Sequence, residues 1–189
     1  MNRNAKLYRL VLAALLCAVG ILIPMVSPLK VVIPPVASYT LGSHVAIFIA
    51  MFLSPATAVA VSLITTLGFF LGGFPLPIVL RALTHVVFAL VGSLWLKKRP
   101  DLLYHTKESI LFCLVIALIH GACEVLVLLP LYFGGSLSAA AYESGFFLYL
   151  VVMIGVGSVI HSSADYVISL LVWRPLRQLD GISAAATAH

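Results

Sequence analysis

The chain has 189 residues, of which 62% are hydrophobic and only 9% are charged, and its formal net charge is +5. Soluble domains average about 45–50% apolar and about 25% charged residues, whereas the mean hydropathy of this chain is +1.17. A water-soluble globule is therefore excluded. The apolar runs are long and continuous, which also excludes a lipid-facing β-barrel with alternating segments of about ten residues. The composition predicts an all-α membrane protein.

Six membrane spans are predicted from the apolar runs and from the Pro and Gly residues between them. In chain order they cover Leu7–Met25, Thr40–Leu53, Pro55–Gly73, Leu76–Leu96, Ser109–Phe133 and Gly145–Trp173. The second is short, because a crossing needs about 20 residues. We expect one compact six-transmembrane-helix bundle, a single domain over residues 1–177. Residues 178–189 are predicted to be a short, disordered cytoplasmic tail.

The basic residues collect on one side of the predicted membrane. With a cytoplasmic N-terminus, the outer loops hold only Lys30, and Arg81 lies within a span. The remaining nine of the eleven basic residues lie at cytoplasmic ends: Arg3, Lys6, Arg9, Lys97, Lys98, Arg99, Lys107, Arg174 and Arg177. The positive-inside rule therefore predicts an N-in/C-in topology. The positive charge follows from this topology and predicts no nucleic-acid partner.

The first outer connection, residues 26–39, is unusually apolar for an exposed loop. It contains Pro34 and Pro35 within a run of aliphatic residues. We expect it to lie across the mouth of the bundle as a lid, with an ordinary interfacial loop as the alternative.

Several ionisable residues lie within spans, where they are costly and therefore indicate function. Counting about 1.5 Å per residue from the span ends places His44, Arg81 and Glu124 at one level, roughly 6–9 Å below the outer surface. His85 follows Arg81 by four residues and His120 precedes Glu124 by four, so each pair shares one helical face. These five residues predict a polar substrate-binding pocket that opens to the outside.

Arg81 indicates the chemistry of this pocket, because a guanidinium offers a planar set of donors that fits a carboxylate. Glu124 can neutralise Arg81 or accept hydrogen bonds from a ligand. A purely structural ion pair between two helices is the alternative. His161 and Asp165 lie near the cytoplasmic end of the sixth span by the same counting, so we expect them to form an internal pair or a cytoplasmic contact outside the pocket.

Motifs typical of enzymes are not found in the sequence. It has no HExxH, GxSxG or phosphate-binding GxxxxGK[ST] pattern, so we predict no enzyme and no ATPase. His120 and Glu124 have a spacing that suits a metal, but the charge of Arg81 at the same level argues against a cation site. We expect no metal and no cofactor bound by this chain. An intramembrane metal-dependent hydrolase is the alternative.

Ala14 and Ala18 form a small-xxx-small face in the first span, which lets another helix approach closely. This face, the six spans, the Pro-rich outer loop and the polar pocket together resemble the substrate-binding S component of an energy-coupling factor (ECF) vitamin transporter. Residues 43–55 (SHVAIFIAMFLSP) and 66–75 (TLGFFLGGFP) are similar to the corresponding segments of that family.

The resemblance implies a multi-pass protein of a bacterial cell membrane that captures a vitamin from outside. It also implies that Ala14 and Ala18 contact a membrane-embedded T component. Two cytoplasmic ATPases would use ATP to drive a toppling motion that releases the vitamin. Metal-specific relatives use a histidine at the extreme N-terminus, and this chain begins Met1-Asn2-Arg3, which disfavours cobalt or nickel as substrate.

The vitamin is predicted from Arg81, which favours a carboxylate. Pantothenate ranks first, because its carboxylate, amide and hydroxyl groups suit Arg81, Glu124 and the histidines. Nicotinate ranks next, and a pyrimidine or pyridoxine-type ligand ranks third. The candidates for stacking on a ring are Phe69, Phe70, Tyr132 and Phe146.

Overall fold

The structure is a computed structural model that describes residues 3–33, 37–179 and 181–183. Its helices are α1 (Arg3–Val26), α2 (Val45–Leu53), α3 (Pro55–Leu71), α4 (Leu76–Lys98), α5 (Thr106–Phe133), α6 (Ala139–Glu143) and α7 (Gly157–Leu176). A 3₁₀ turn at Leu102–Tyr104 precedes α5, and a π-helical segment at Phe147–Val156 continues directly into α7. Strands β1 (Lys30–Ile33) and β2 (Ala37–Thr40) form an antiparallel hairpin between α1 and α2, which the sequence analysis did not predict.

Four helices in the described part of the chain are long and apolar enough to cross a membrane. They are Lys6–Val26, Leu76–Lys98, Thr106–Phe133 and the combined helix Phe147–Leu176. Helix α3 is shorter, with 17 residues. Helix α2 has nine residues, or about 14 Å, which is half the thickness of a hydrocarbon core. The predicted all-α membrane class is confirmed, and length and composition identify four spans against the six predicted.

Helix α2 lies in the centre of the bundle, where all nine of its residues are buried. A helix that is apolar on every side is stable only when it is surrounded, and α2 packs against α1, α3, α4 and α7. Ser54 ends α2 and begins α3, because its hydroxyl accepts from the backbone N–H of Thr57 while Pro55 takes the first helical position. Helix α2 begins at Val45 and not at the predicted Thr40. His44, which directly precedes α2, is 4% exposed and lies inside the bundle.

Helix α7 presents small polar side chains to the core. Ser158, Ser162, Asp165 and Ser169 are all fully buried, and their spacing of four, three and four residues puts them on one helical face. Small residues on such a face allow close approach of a neighbouring helix in lipid. This approach brings Asp165 to the start of α2.

Two further segments, the hairpin and residues 181–183, pack against the bundle. The Tyr39 hydroxyl of the hairpin donates to the backbone carbonyl of Met153, which ties β2 to the π-helical segment. Residues 181–183 form a helical turn, and Ile182 is buried in the main hydrophobic core. The packed chain therefore extends beyond residue 177, while residues 180 and 184–189 of the predicted tail lie outside the described residues.

Candidate functional site

An ion pair between α4 and α5 stands at the centre of the site. Arg81 Nη2 donates to Glu124 Oε2 at 2.9 Å, and the two side chains are only 15% and 3% exposed. The Ser158 hydroxyl of α7 donates to the same carboxylate oxygen. The Arg81 guanidinium carbon also lies 5.8 Å from the centre of the Tyr39 ring, within reach of a cation–π attraction. Glu124 therefore contacts side chains of α4 and α7, and Arg81 contacts a side chain of the hairpin.

Three buried imidazoles lie beside this ion pair. His44 precedes α2, His85 is on α4 and His120 is on α5. The ring centre of His44 lies 4.7 Å from that of His85 and 4.7 Å from that of His120, and the His85 and His120 centres are 5.0 Å apart. The structure therefore brings together all five residues that the sequence predicted to share a pocket.

Glu124 connects the ion pair to the imidazoles. Its Oε1 atom lies 3.3 Å from His120 Nε2 and 3.7 Å from His85 Nε2. Neither ring nitrogen of His120 has a hydrogen-bond partner among the residues that the structure describes. The same holds, within that part of the chain, for Nε of Arg81. The site therefore holds buried donors that are not fully used.

Asp165 forms the predicted internal pair with His161, whose Nε2 lies 3.5 Å from Asp165 Oδ2, but Asp165 also contacts the residues before α2 and so joins the site. Its Oδ1 accepts from the backbone N–H of Gly42 at 2.6 Å, and its Oδ2 accepts from the backbone N–H of His44 at 2.9 Å. His44 Nδ1 lies 3.0 Å from the same Oδ2. His161 Nε2 lies 3.0 Å from the Ser43 hydroxyl, and the His161 ring centre is 4.8 Å from that of His44. The sequence count placed both residues too far away, because it assumed that the second span begins at the membrane surface.

A cavity of about 120 Å³ lies between the hairpin and these polar groups. Its walls include Arg81, Glu124, His44 and His85 from the predicted set, whereas His120 is not among the described residues that line it. His161 also lines the cavity. Sequence analysis missed further wall residues from the hairpin and the helix ends, namely Lys30, Tyr39, Thr40, Ser43, Thr65 and Phe74. The pairing of the hairpin brings the first three to the site, and the predicted position of residues 26–39 across the mouth of the bundle is the sequence signal that pointed to Lys30 and Tyr39.

The aromatic residues proposed for stacking divide into two groups. Phe69 lines the cavity and stacks on Phe74, with ring centres 4.8 Å apart. Phe70 is exposed on the outside of α3. Tyr132 and Phe146 pack against each other at the end of α5 and are not among the described residues that line the cavity. Phe69 is therefore the one of the four that contacts the cavity.

The predicted lid and the predicted contact face on α1 have different outcomes. Pro34 and Pro35, the predicted lid, lie outside the described residues. Ala14 and Ala18 are exposed on α1, whereas the neighbouring Cys17 is buried. Their small-residue face is thus directed away from the bundle in this structure.

Possible metal ligands form two groups that share one histidine. The first is His44, His85 and His120, and the second is His44, His161 and Asp165. Within each group, one ligand atom from each residue lies within 4.8 Å of the others. The expectation that the chain binds no metal stays a prediction at this point.

Comparison with known proteins places the sequence in a family. No family model matches the chain, and no solved structure gives a significant match. The chain is 39% identical over 170 residues to the niacin transporter NiaX of Lactococcus lactis subsp. cremoris (strain MG1363). The match covers 89% of this chain and 74% of that transporter. The chain therefore belongs to the family of S components of ECF-type vitamin transporters.

Proposed function

We propose that this chain captures nicotinate from outside the cell and presents it for ATP-driven uptake. The observation that carries the proposal is the 39% identity, over most of the chain, to a protein named as a niacin transporter. Nothing in the comparison supports pantothenate, which the sequence analysis ranked first, or the pyrimidine, pyridoxine and hydrolase alternatives. Nicotinate, ranked second, becomes the proposed substrate.

The chemistry of Arg81 supports an anionic ligand. A guanidinium has five N–H donors, and in this site Nη2 reaches Glu124 while Nε has no partner among the described residues. An incoming carboxylate can take these unused donors in a bidentate arrangement. Lys30 at the edge of the cavity adds a second positive charge. The site therefore offers more positive charge than Glu124 alone neutralises.

The walls of the cavity support a small planar ring. Phe69 on one side is held by its stack on Phe74, and Tyr39 closes another side. The hydroxyl of Tyr39 is engaged with the backbone of Met153, and burial raises the pKa of Tyr39, so it stays a neutral donor. A cavity of about 120 Å³ suits a pyridine ring better than the longer pantothenate chain.

The orientation of the chain follows from its charges. Lys97 and Lys98 end α4, and Arg174 lies in the last turn of α7, at the end of the bundle opposite the hairpin. By the positive-inside rule we assign this end to the cytoplasm and the hairpin end to the outside of a bacterial cell membrane. In this assignment the N- and C-termini are cytoplasmic, and α2 and α3 complete a six-helix transmembrane bundle with the four long spans.

ATP-driven uptake requires ATPase partners, because the sequence contains no GxxxxGK[ST] motif. We assign the energy supply to two cytoplasmic ATPases and the mechanical coupling to a membrane-embedded T component. Ala14 and Ala18 are the proposed contact, since their exposure on α1 leaves a shallow surface that another helix can approach. Pro34 and Pro35 stay the proposed lid over the cavity.

Calorimetric titration of the detergent-purified chain tests the substrate. The panel consists of nicotinate, nicotinamide, pantothenate and pyridoxine, and we expect saturable binding of nicotinate with weaker or undetectable binding of the others. Tight binding of pantothenate or pyridoxine would instead assign the chain to another vitamin. If the folded protein binds none of the four, the result would favour the alternative that Arg81 and Glu124 form a purely structural ion pair.

A further inference from the structure

The imidazoles of His44, His85 and His120 each offer one ligand atom within 4.8 Å of the other two. His44 Nε2 and His85 Nε2 face each other at 3.4 Å. Zinc binds histidine nitrogens at about 2.0–2.1 Å in a tetrahedron, which puts neighbouring nitrogens about 3.3–3.4 Å apart. One edge of a tetrahedral site is therefore already at the required length. The ligand atom of His120 lies within 4.8 Å of the other two. A small movement of its ring would therefore place the three nitrogens at three corners of the tetrahedron.

The hydrogen bonds around His44 prepare it as a ligand. Its Nδ1 lies 3.0 Å from Asp165 Oδ2, and a carboxylate oxygen accepts, so Nδ1 carries the proton and Nε2 keeps its lone pair. Metal-binding histidines almost always use their second nitrogen in this way, which fixes the tautomer and the ring orientation. Asp165 is itself held by the backbone N–H groups of Gly42 and His44.

His120 supplies an independent observation. Its side chain is 1% exposed and its Nε2 lies 3.3 Å from Glu124 Oε1, but neither ring nitrogen makes a hydrogen bond of good geometry in the described part of the chain. A buried polar group without a partner is costly, and such a group is accounted for when it binds a ligand. The lone pair of an imidazole nitrogen is the ligand that zinc and related transition-metal ions take in proteins.

The charge of Arg81, which argued against a cation in the sequence analysis, is compensated in the structure. Its guanidinium is paired with Glu124 Oε2. The other oxygen of Glu124 lies 3.3 Å from His120 Nε2 and 3.7 Å from His85 Nε2, so the negative charge stands between Arg81 and the imidazoles. A divalent ion among the imidazoles would therefore lie closer to the carboxylate than to the guanidinium.

The alternative group of His44, His161 and Asp165 fits an ion less well. Both carboxylate oxygens of Asp165 already accept backbone N–H groups at the start of α2. Binding an ion there would compete with those two backbone bonds, whereas the three-histidine group would replace only the long contacts between His44 Nε2 and His85 Nε2, at 3.4 Å, and between His120 Nε2 and Glu124 Oε1, at 3.3 Å.

We propose that His44, His85 and His120 bind one divalent transition-metal ion of the zinc class at the inner end of the cavity. Since His44 and His85 line the cavity, the fourth position of the tetrahedron opens toward it. Three histidines with one open position are typical of zinc sites that accept an exchangeable ligand. The site rests on these side chains alone and does not depend on the identity of the vitamin.

Equilibrium dialysis of the full-length protein against Zn²⁺ tests the site, without vitamin and with an affinity tag that contains no histidine. We expect about one bound Zn²⁺ per wild-type chain. Replacing Zn²⁺ with Co²⁺ should produce the strong visible absorption of a four-coordinate cobalt ion. No bound zinc at micromolar free Zn²⁺ in the folded wild-type protein would overturn the proposal.

Single substitutions identify the ligands. His85→Gln and His120→Gln should each lower the Zn²⁺ affinity more than Asp165→Asn, because loss of a group that only orients a ligand typically costs about 10–100-fold. His105→Gln is the matched control, since His105 is exposed at the start of α5, and His161→Gln tests the alternative group. Both should bind as wild type does. Wild-type affinity in the folded His85 and His120 variants, or loss of binding in His161→Gln, would overturn the assignment.

The experiments distinguish a failure of the proposed metal site from a failure of the proposed function. Zinc binding is measured without vitamin, and nicotinate binding is measured by its own titration. Each variant is accepted only if it elutes as a single species in size-exclusion chromatography and keeps a cooperative thermal transition. Because two ligand variants, His85→Gln and His120→Gln, are measured, the test still decides the proposal if one of the two does not fold.

Discussion

The Asp165 carboxylate joins α7 to the start of α2, and Asp165→Asn tests how much this junction stabilises the bundle. The carboxylate accepts two backbone N–H groups, from Gly42 and His44, and contacts His44 Nδ1. Asparagine has one acceptor oxygen in place of two, so its amide NH₂ must face one of these donors. The substitution keeps the shape of the side chain and changes only its charge and its acceptors.

The expected loss follows from these contacts. Leaving one buried N–H without an acceptor costs about 1–3 kcal/mol. Removing a negative charge from the positive end of a helix adds about 0.3–1 kcal/mol, and up to about 2 kcal/mol when the site is partly buried. We therefore expect the free energy of unfolding to fall by about 3 kcal/mol.

Equilibrium unfolding in mixed micelles of a mild detergent and SDS, followed by circular dichroism, measures this loss. Asp101→Asn is the control, because Asp101 is exposed and makes no side-chain capping bond within the described 3₁₀ turn. The control should stay within about 0.5 kcal/mol of wild type. A loss in Asp165→Asn no larger than that of the control would refute the reasoning, since the carboxylate would then contribute nothing to the start of α2.

Two further substitutions test the packing of the hairpin and the outer face of α1. A methyl group at Gly157 would overlap the Tyr39 hydroxyl, so Gly157→Ala should lower the free energy of unfolding by about 1–3 kcal/mol. This loss should shrink in a Tyr39→Phe background, and an equal loss would place the clash elsewhere. Ala18→Trp should abolish copurification with the T component and leave nicotinate binding intact, whereas Leu118→Trp on the exposed side of α5 should do neither. Wild-type copurification of Ala18→Trp would argue against this face as the contact.

The sequence predicted the class of the protein and the convergence of five polar residues for simple reasons. Apolar runs of membrane length have few alternatives to helices in lipid. Arg81 with His85, and His120 with Glu124, are four residues apart, so helical periodicity alone puts each pair on one face. The structure brings these pairs together with His44, while their role in binding a substrate stays a proposal.

The errors in the predicted depth of side chains share one cause. Depth was counted from span ends that were assumed to lie at the membrane surface. Helix α2 instead begins at Val45 inside the bundle, because its apolar circumference requires burial on all sides. Its N-terminus therefore meets Asp165 and His161 of α7, which the count had placed near the cytoplasmic end. A helix that begins inside the bundle depends on tertiary packing, and no local sequence pattern predicts it.

The most direct test of the account is the ratio of nicotinate to nicotinamide affinity, measured in wild type and in Arg81→Gln. The two ligands differ by one charge, and a hydrogen bond to a charged group contributes about 1.5–3 kcal/mol, or roughly 10- to 150-fold in affinity. We expect wild type and the control Arg99→Gln, whose ion pair with Glu108 is exposed, to prefer nicotinate by a factor in this range. Arg81→Gln should bind both ligands about equally. A preference for nicotinate that survives in folded Arg81→Gln would contradict the claim that Arg81 holds the carboxylate.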